Sequence, residues 1–190
     1  YVTIASDVGR PYSIIKGYKP RVDANGNTVY NVSGGSATIA QGPLEELGQG
    51  VHPWGAGISN EFKYKNISFS FLIDGKFGGS LYSGTDLYGT RMGLTKLTLE
   101  GRESGLPISG VDTNGNPVNM VIAPENLRTY YDGLRNISST FVYDASFIKL
   151  RQIILGYSLP IEKIKGLSKL QGASLSFVAR NLFILYKKTP

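Results

Sequence analysis

The chain has no cysteine, a single histidine and two methionines among its 190 residues. Without cysteine there is no disulfide framework and no thiolate metal site. His52 stands beside Pro53 and Trp54 with no second imidazole to join it, so the nitrogen and sulfur donors that a zinc site collects are missing. A Ser-His-Asp triad would have to use His52, and no Gly-x-Ser-x-Gly elbow leads into a helix. Catalytic residues, metal ligands and cofactor-binding residues are therefore all expected to be absent, and an enzyme is not expected. Long apolar runs are missing too. Hydrophobic content is 41%, and no segment approaches the roughly 18 apolar residues of a spanning helix. Charge is spread rather than clustered. The formal net charge is +6, yet no basic run exceeds Lys187-Lys188, so nucleic acid is not an expected partner. A diffuse basic excess suits an anionic membrane surface or a pore lining.

Glycine and tyrosine are plentiful, at 24 and 12 residues. Frequent turns with many aromatics favour short antiparallel strands over a helical bundle. A membrane-crossing strand escapes a hydropathy scan, because only alternate residues must be apolar. Phe141 to Pro160 and Leu175 to Lys187 are two long strand-like segments with charges in their middles. They read as neighbouring staves of a large barrel that meets lipid on one face and water on the other. Strict alternation puts Phe147, Lys149, Arg151 and Ile153 on one face, and Ile148, Leu150, Gln152 and Ile154 on the other. Lys149 and Arg151 are expected to point into the lumen, because Lys or Arg facing lipid at the midplane costs roughly 2–4 kcal/mol. In the last strand Ala173, Leu175, Phe177 and Ala179 are expected to face lipid, with Arg180 inward.

Trp54 to Tyr64 is the cleanest strand in the first half. Trp54, Ala56, Ile58, Phe62 and Tyr64 share a face, interrupted by Asn60. The two terminal aromatics lie about 33 Å apart along the strand at 3.3 Å per residue. A tilt of about 40° brings this to the roughly 25 Å height of a barrel's apolar band. Lys65-Asn66 turns the chain into a second alternating strand, Ile67 to Asp74. The expected directions alternate: Trp54 to Tyr64 down, Ile67 to Asp74 up, Val142 to Leu159 down, Ala173 to Tyr186 up.

The expected organisation is a loop-rich extracellular region with one hairpin over 1–50, a barrel hairpin over 51–77, a long extracellular loop over 78–140 and a barrel hairpin over 141–188. Two Asn-Gly turns, Asp23 to Asn27 and Asp112 to Asn116, mark tight hairpins. A helix is expected after Pro124, running toward Tyr131, and the Lys-rich turn from Ile161 to Gly172 has room for one helical turn. Asp23-x-Asn25-x-Asn27 and Asp112-x-Asn114-x-Asn116 faintly resemble calcium loops. The sixth and twelfth positions are Thr28 and Gly34 in one, and Pro117 and Ala123 in the other, where an EF-hand needs Gly and Glu. Glu45-Glu46 and the pair Glu100 and Glu103 read as solvated loop charges. Tyr82, Tyr88, Tyr130 and Tyr131 are candidate sugar-stacking residues in the long loop; the substrate-binding residues themselves are unknown.

Four stretches carry a family resemblance: VGRPYSIIKGYK (Val8 to Lys19), EFKYKNISFSFLIDGKFGG (Glu61 to Gly79), FVYDASFIKLRQIILGYSLP (Phe141 to Pro160) and VARNLFILYK (Val178 to Lys187). In this order they resemble the C-terminal part of the SusC/RagA-type TonB-dependent transporters of Bacteroidetes. The resemblance implies an all-β fold, namely the C-terminal antiparallel strands of an outer-membrane β-barrel of about 22 strands that encloses a plug. It implies import of oligosaccharides or peptides, a SusD-type surface lipoprotein over the mouth, the TonB complex acting on the plug, and outer-membrane lipid around the wall. The plug and the closing strand of such a transporter do not match this sequence, so it is expected to be a piece of a longer chain that neither closes a barrel nor transports alone. The competing reading is a soluble all-β carbohydrate-binding or adhesion module, whose alternating strands would be buried in a core of their own.

Overall fold

A computed structural model describes residues 2–161 and 171–190. In chain order its strands are β1 (Thr3–Ala5), β2 (Ile14–Pro20), β3 (Val29–Ser33), β4 (Ser36–Ile39), β5 (Gln41–Gln49), β6 (Trp54–Tyr64), β7 (Ile67–Phe77), β8 (Ser80–Tyr82), β9 (Leu106–Asp112), β10 (Pro117–Ile122), β11 (Val142–Asp144), β12 (Phe147–Ser158) and β13 (Ser174–Lys187). Two short helices, α1 (Gly84–Arg91) and α2 (Leu127–Gly133), interrupt them. The chain forms two compact units, residues 1–51 with 80–143 and residues 52–79 with 144–190. The Lys-rich turn expected over 161–172 falls largely outside the described residues.

The first unit has a hydrophobic core. Leu87, Ile122 and Phe141 are fully buried there, packed with Tyr30, Leu106, Leu127 and other apolar side chains. Its sheets are β1-β2-β5, β10-β9-β3-β4 and the pair β11-β8. α1 starts where the Ser83 hydroxyl accepts a hydrogen bond from the Asp86 amide at 3.1 Å, with Asp86 in the first turn and Arg91 in the last, the polarity that suits a helix dipole. A 3-10 turn at Pro124–Asn126 leads into α2, so the helix expected after Pro124 is present.

Where loops were expected, this unit holds strands. Residues 1–50 carry β1 to β5 rather than one hairpin among loops. β5 is the best hidden of them, because it buries no residue and is held by pairing more than by an apolar stripe. β5 lies antiparallel to β2 with Lys16 opposite Glu46 and Gly17 opposite Glu45. Lys19 pairs with Glu45 at 2.8 Å, and Arg10 pairs with Glu46. Glu45 and Glu46 thus lie on a strand rather than in a loop, Glu45 paired across to Lys19 of β2 and Glu46 to Arg10 in the connection between β1 and β2. The stretch read as the 78–140 loop likewise folds into strands, helices and much of the core. Both Asn-Gly hairpins form as expected: Val22 bridges Thr28 around the first, and β9 pairs with β10 around the second.

The second unit is a single antiparallel sheet in the order β13-β12-β7-β6. β6 runs from Trp54 to Tyr64 and pairs with β7 without a slip, from Trp54 opposite Phe77 to Tyr64 opposite Ile67. Lys65, at φ +52°, makes the two-residue connection. β7 continues past Asp74 to Phe77. The segment expected as one strand from Val142 to Leu159 is two. β11 ends at Asp144, whose carboxylate accepts from the Ser146 amide (2.8 Å) and hydroxyl, and the Ser146 hydroxyl in turn accepts from the Gly78 amide at 3.0 Å. This small knot of side-chain bonds competes with the ladder and separates β11 from β12. Among the described residues, every buried hydrophobic side chain belongs to the first unit. The sheet of the second unit buries none.

Candidate functional site

Residues paired across antiparallel strands share a face, so the register of the second unit defines two surfaces. One carries Trp54, Ile58, Phe62 and Tyr64 from β6; Ile67, Phe69, Phe71 and Ile73 from β7; Ile148, Leu150, Ile153, Leu155 and Tyr157 from β12; and Leu175, Phe177, Ala179 and Phe183 from β13. Phe62, Phe69 and Phe71 form a cluster on it, with ring centroids 6.2–6.4 Å apart. Trp54 is 73% exposed and Phe177 68%, while Phe71, Ile73, Ile148, Leu150 and Ile153 in the middle of the sheet are half-buried and none is fully buried. The opposite face carries Ser59, Glu61, Lys63, Ser68, Ser70, Asp74, Lys76, Lys149, Gln152, Ser176 and Arg180, with Leu72, Phe147, Ile154, Val178 and Ile184 among them.

The alternation that predicts these faces fails in two places: β13 carries an extra residue, Leu185, between the pairs Ile148–Tyr186 and Lys149–Ile184, and β12 slips against both its neighbours at Arg151. Opposite β7 the register passes from Leu150–Ile73 to Gln152–Leu72, leaving Arg151 unpaired. Opposite β13 it passes from Leu150–Phe183 to Gln152–Arg180, leaving Asn181 and Leu182 beside Arg151. One extra residue in a strand is a bulge, and everything beyond it changes face. Ile153, expected to share a face with Lys149 and Arg151, therefore lies on the apolar face with Leu150 and Leu155. Lys149 keeps its expected place on the polar face, opposite Asp74. Arg180 is also polar-facing, and Leu175, Phe177 and Ala179 apolar-facing, as expected.

The bulge has a partner for its charge. Arg151 Nε donates to Asp74 Oδ1 at 3.0 Å and Nη2 to Oδ2 at 2.6 Å, a two-pronged ion pair. Its Nη1 reaches Asn181 Oδ1 at 3.3 Å. Asn181 stands at φ +52°, a left-handed conformation that Asn tolerates better than most residues. One guanidinium thus links β7, β12 and β13 where both ladders slip. Lys149 Nζ lies 4.5 Å from the Phe147 ring centroid. These groups can hold charge and water at a polar wall; they do not combine a nucleophile with a base.

His52 is structural in its contacts. Its Nε2 donates to the Ala145 carbonyl at 3.0 Å, and its ring meets Phe147 edge-on at 5.9 Å. A Cβ at Gly79 would come within 2.7–2.9 Å of the imidazole, so glycine is required for that approach. Among the described residues no group of three or more His, Asp or Glu is placed to hold a metal ion. The two calcium-like loops are carboxylate-centred turns. Asp23 accepts from the Asn25 and Asn27 amides at 2.8 Å and from the Asn27 side chain at 3.0 Å, and Asp112 repeats the pattern with Asn114 and Asn116. Bonds from the Asn27 and Asn116 side chains, then from the backbone amides, hold both carboxyls below their ordinary pKa.

The candidate sugar-stacking tyrosines do not form an open platform. Tyr131 is buried and donates to the Glu100 carbonyl at 2.8 Å. Tyr130 packs edge-on to it at 5.3 Å, and burial first, then the neighbouring Tyr30, pushes its phenol up to about 12. Tyr82 packs against the same core. Tyr88 alone is well exposed, with the Arg91 guanidinium 5.8 Å from its ring centroid. What the sequence did not single out is the cluster of Arg91, Arg102 and Arg128 around a cleft beside α1 and α2.

The chain is thus an all-β segment, and its second unit, an open antiparallel sheet with an exposed apolar face and a mostly polar one, has the arrangement that suits the wall of an antiparallel barrel. The comparisons agree. No protein-family model matches the chain. Two curated proteins of Formosa agariphila do: TonB-dependent receptor P39, 28% identical over 139 residues (73% of this chain and 13% of the receptor), and TonB-dependent receptor P26, 26% identical over 169 residues (84% and 15%). The chain therefore spans about one seventh of the length of the relatives it matches. Among solved structures, the RagAB peptide importer in its closed-closed state matches with a TM-score of 0.56 and 20% identity, over 92% of this chain and 18% of that one. The chain is similar to the SusC/RagA-type TonB-dependent transporters, as its four motif stretches imply, and its fold is that of an all-β segment of such a transporter.

Proposed function

We propose that this chain is part of the wall and loops of an active outer-membrane transporter that imports oligosaccharides or peptides. β6, β7, β12 and β13 are four neighbouring staves, their apolar face toward lipid and their charged face toward the lumen. Trp54 and Tyr64 sit at the two ends of β6 on the lipid side, where interfacial aromatics belong. The first unit is the extracellular part, whose partner is a SusD-type lipoprotein, and energy comes from the TonB complex through a plug elsewhere in the full-length protein. The observation that supports this reading best is that the four-stranded sheet has no buried hydrophobic residue while its apolar face stays open. Soluble domains cover such a face with a second layer, and contiguous exposed apolar patches beyond a few hundred Å² mark a partner or a membrane.

The test is fractionation of cells making the full-length protein, followed by uptake. The protein is expected in the outer membrane, extractable only with detergent, with gel mobility that changes on boiling, and deletion of its gene is expected to abolish TonB-dependent uptake of its glycan or peptide. A soluble binding module would instead give 190 residues that stay monodisperse without detergent and melt cooperatively.

A further inference from the structure

The first unit contains a cleft of about 530 Å³ between the C-terminal end of α1 and the start of α2. This is within the size range of small-ligand sites. Arg91, Arg102 and Arg128 line it together with Met92, Leu127 and Tyr131, and its lining holds no carboxylate. The three guanidinium groups differ in how they are held. Arg102 donates to the Thr98 carbonyl at 2.7 Å, to the Thr98 hydroxyl at 2.9 Å and to the Gly93 carbonyl, all neutral acceptors that fix the side chain without cancelling its charge. Arg91 is oriented by Asp132 at 2.7 Å, and Asp132 is shared with Arg135 at 3.2 Å. Arg128 is exposed on the first turn of α2 and makes no hydrogen bond or ion pair with a described residue. A smaller cavity of about 320 Å³ shares Arg91, Met92 and Arg128 with the cleft and adds Thr129 and Asp132.

Guanidinium groups around an apolar floor, two held by the protein and one, Arg128, with its donors open, select for planar oxyanions, which match the arginine fork with two parallel hydrogen bonds. We propose that this cleft binds a carboxylate carried by an acidic ligand, with the Arg128 fork gripping the anion, Arg102 adding its charge and its remaining Nη1 donors, and Met92, Leu127 and the Tyr131 ring contacting the apolar part beside it. A uronic-acid sugar and an acidic peptide present the same group, and the test separates them. The proposal concerns equilibrium binding and stands apart from whether the ligand is then transported.

The full-length protein in detergent is titrated by calorimetry with tetragalacturonate, tetraglutamate and neutral maltotetraose. At least one acidic probe is expected to bind, more weakly as salt rises, and whichever binds names the carrier. Arg128→Gln is expected to weaken that binding at least about tenfold, the loss carried by one charge-assisted hydrogen bond. Arg128→Lys, which keeps the charge and loses the fork, is expected to fall between. Arg128 is exposed and outside the core, so both variants are expected to keep the gel mobility of the parent. Acidic probes that bind no more tightly than maltotetraose overturn the proposal, as does a loss under tenfold in Arg128→Gln.

Discussion

Arg151 and Asp74 meet through two hydrogen bonds, 2.6 and 3.0 Å, at the residue where β12 leaves register with β7. The extra residue of a bulge is normally surplus to the ladder. Here it reaches across to the neighbouring strand and, through Asn181 at 3.3 Å, to the strand on its other side. The charge that looks misplaced in an apolar strand is what joins three strands on the polar face.

Replacing either partner should loosen the sheet. Both side chains are partly open to solvent, at 36% and 24%, so a coupling of about 1 kcal/mol is expected rather than the value of a buried pair. A double-mutant cycle of Asp74→Asn and Arg151→Gln, read from the thermal transition in detergent, measures it. Additive effects of the two substitutions would mean that the pair contributes no coupling.

Asn181 tests the backbone side of the same device. Its left-handed φ is hard for a β-branched residue, and Asn181→Val should cost about 1–2 kcal/mol. Asn181→Gly should remove the Arg151 contact while relieving the backbone. A larger loss for Val than for Gly in the same thermal assay is the expected order.

Phe141 tests the independence of the first unit's core. It is fully buried, and Phe141→Ala should cost about 3–5 kcal/mol. Limited proteolysis of intact cells should then cut within residues 80–143 while the gel mobility of the barrel persists.

The two Asp-centred turns predict a pH dependence. Asp23 and Asp112 have carboxyls held below the ordinary 3.8, first by the Asn27 and Asn116 side chains. Groups with a lowered folded pKa contribute stability that is present above the unfolded value and is lost as pH falls through the folded one. Hydrogen exchange of the Asn25, Asn27, Asn114 and Asn116 amides, corrected for intrinsic rates, should show protection above about pH 4 that fades at more acidic pH. Asp23→Asn should flatten that dependence in the first turn alone.

The sheet was legible wherever one rule acted alone. Trp54 to Tyr64 alternates with a single interruption at Asn60 and ends at a two-residue turn, and β6 has those bounds. The two Asn-Gly hairpins were legible because the turn chemistry is local. Ile153 was misplaced because a bulge is a parity error that periodicity cannot detect; Asp74, which answers Arg151, is 77 residues away in sequence. β5 was missed because its strand state depends on partners, with Glu45 and Glu46 paired to Lys19 and Arg10. The arginine cleft was hidden for the same reason, since Arg91, Arg102 and Arg128 converge only once α1 and α2 fold together.

The central claim is that one face of this sheet meets lipid and the other water. Single cysteines at Ile58, Leu155 and Phe177 on the apolar face, and at Ser70, Ser176 and Gln152 on the polar face, can be placed in a cysteine-free full-length protein in native outer membranes. A lipid-soluble maleimide is expected to label the first set and a membrane-impermeant one the second, with little crossover. Equal labelling of both sets by the impermeant reagent, or labelling of the polar set from lipid, would contradict it.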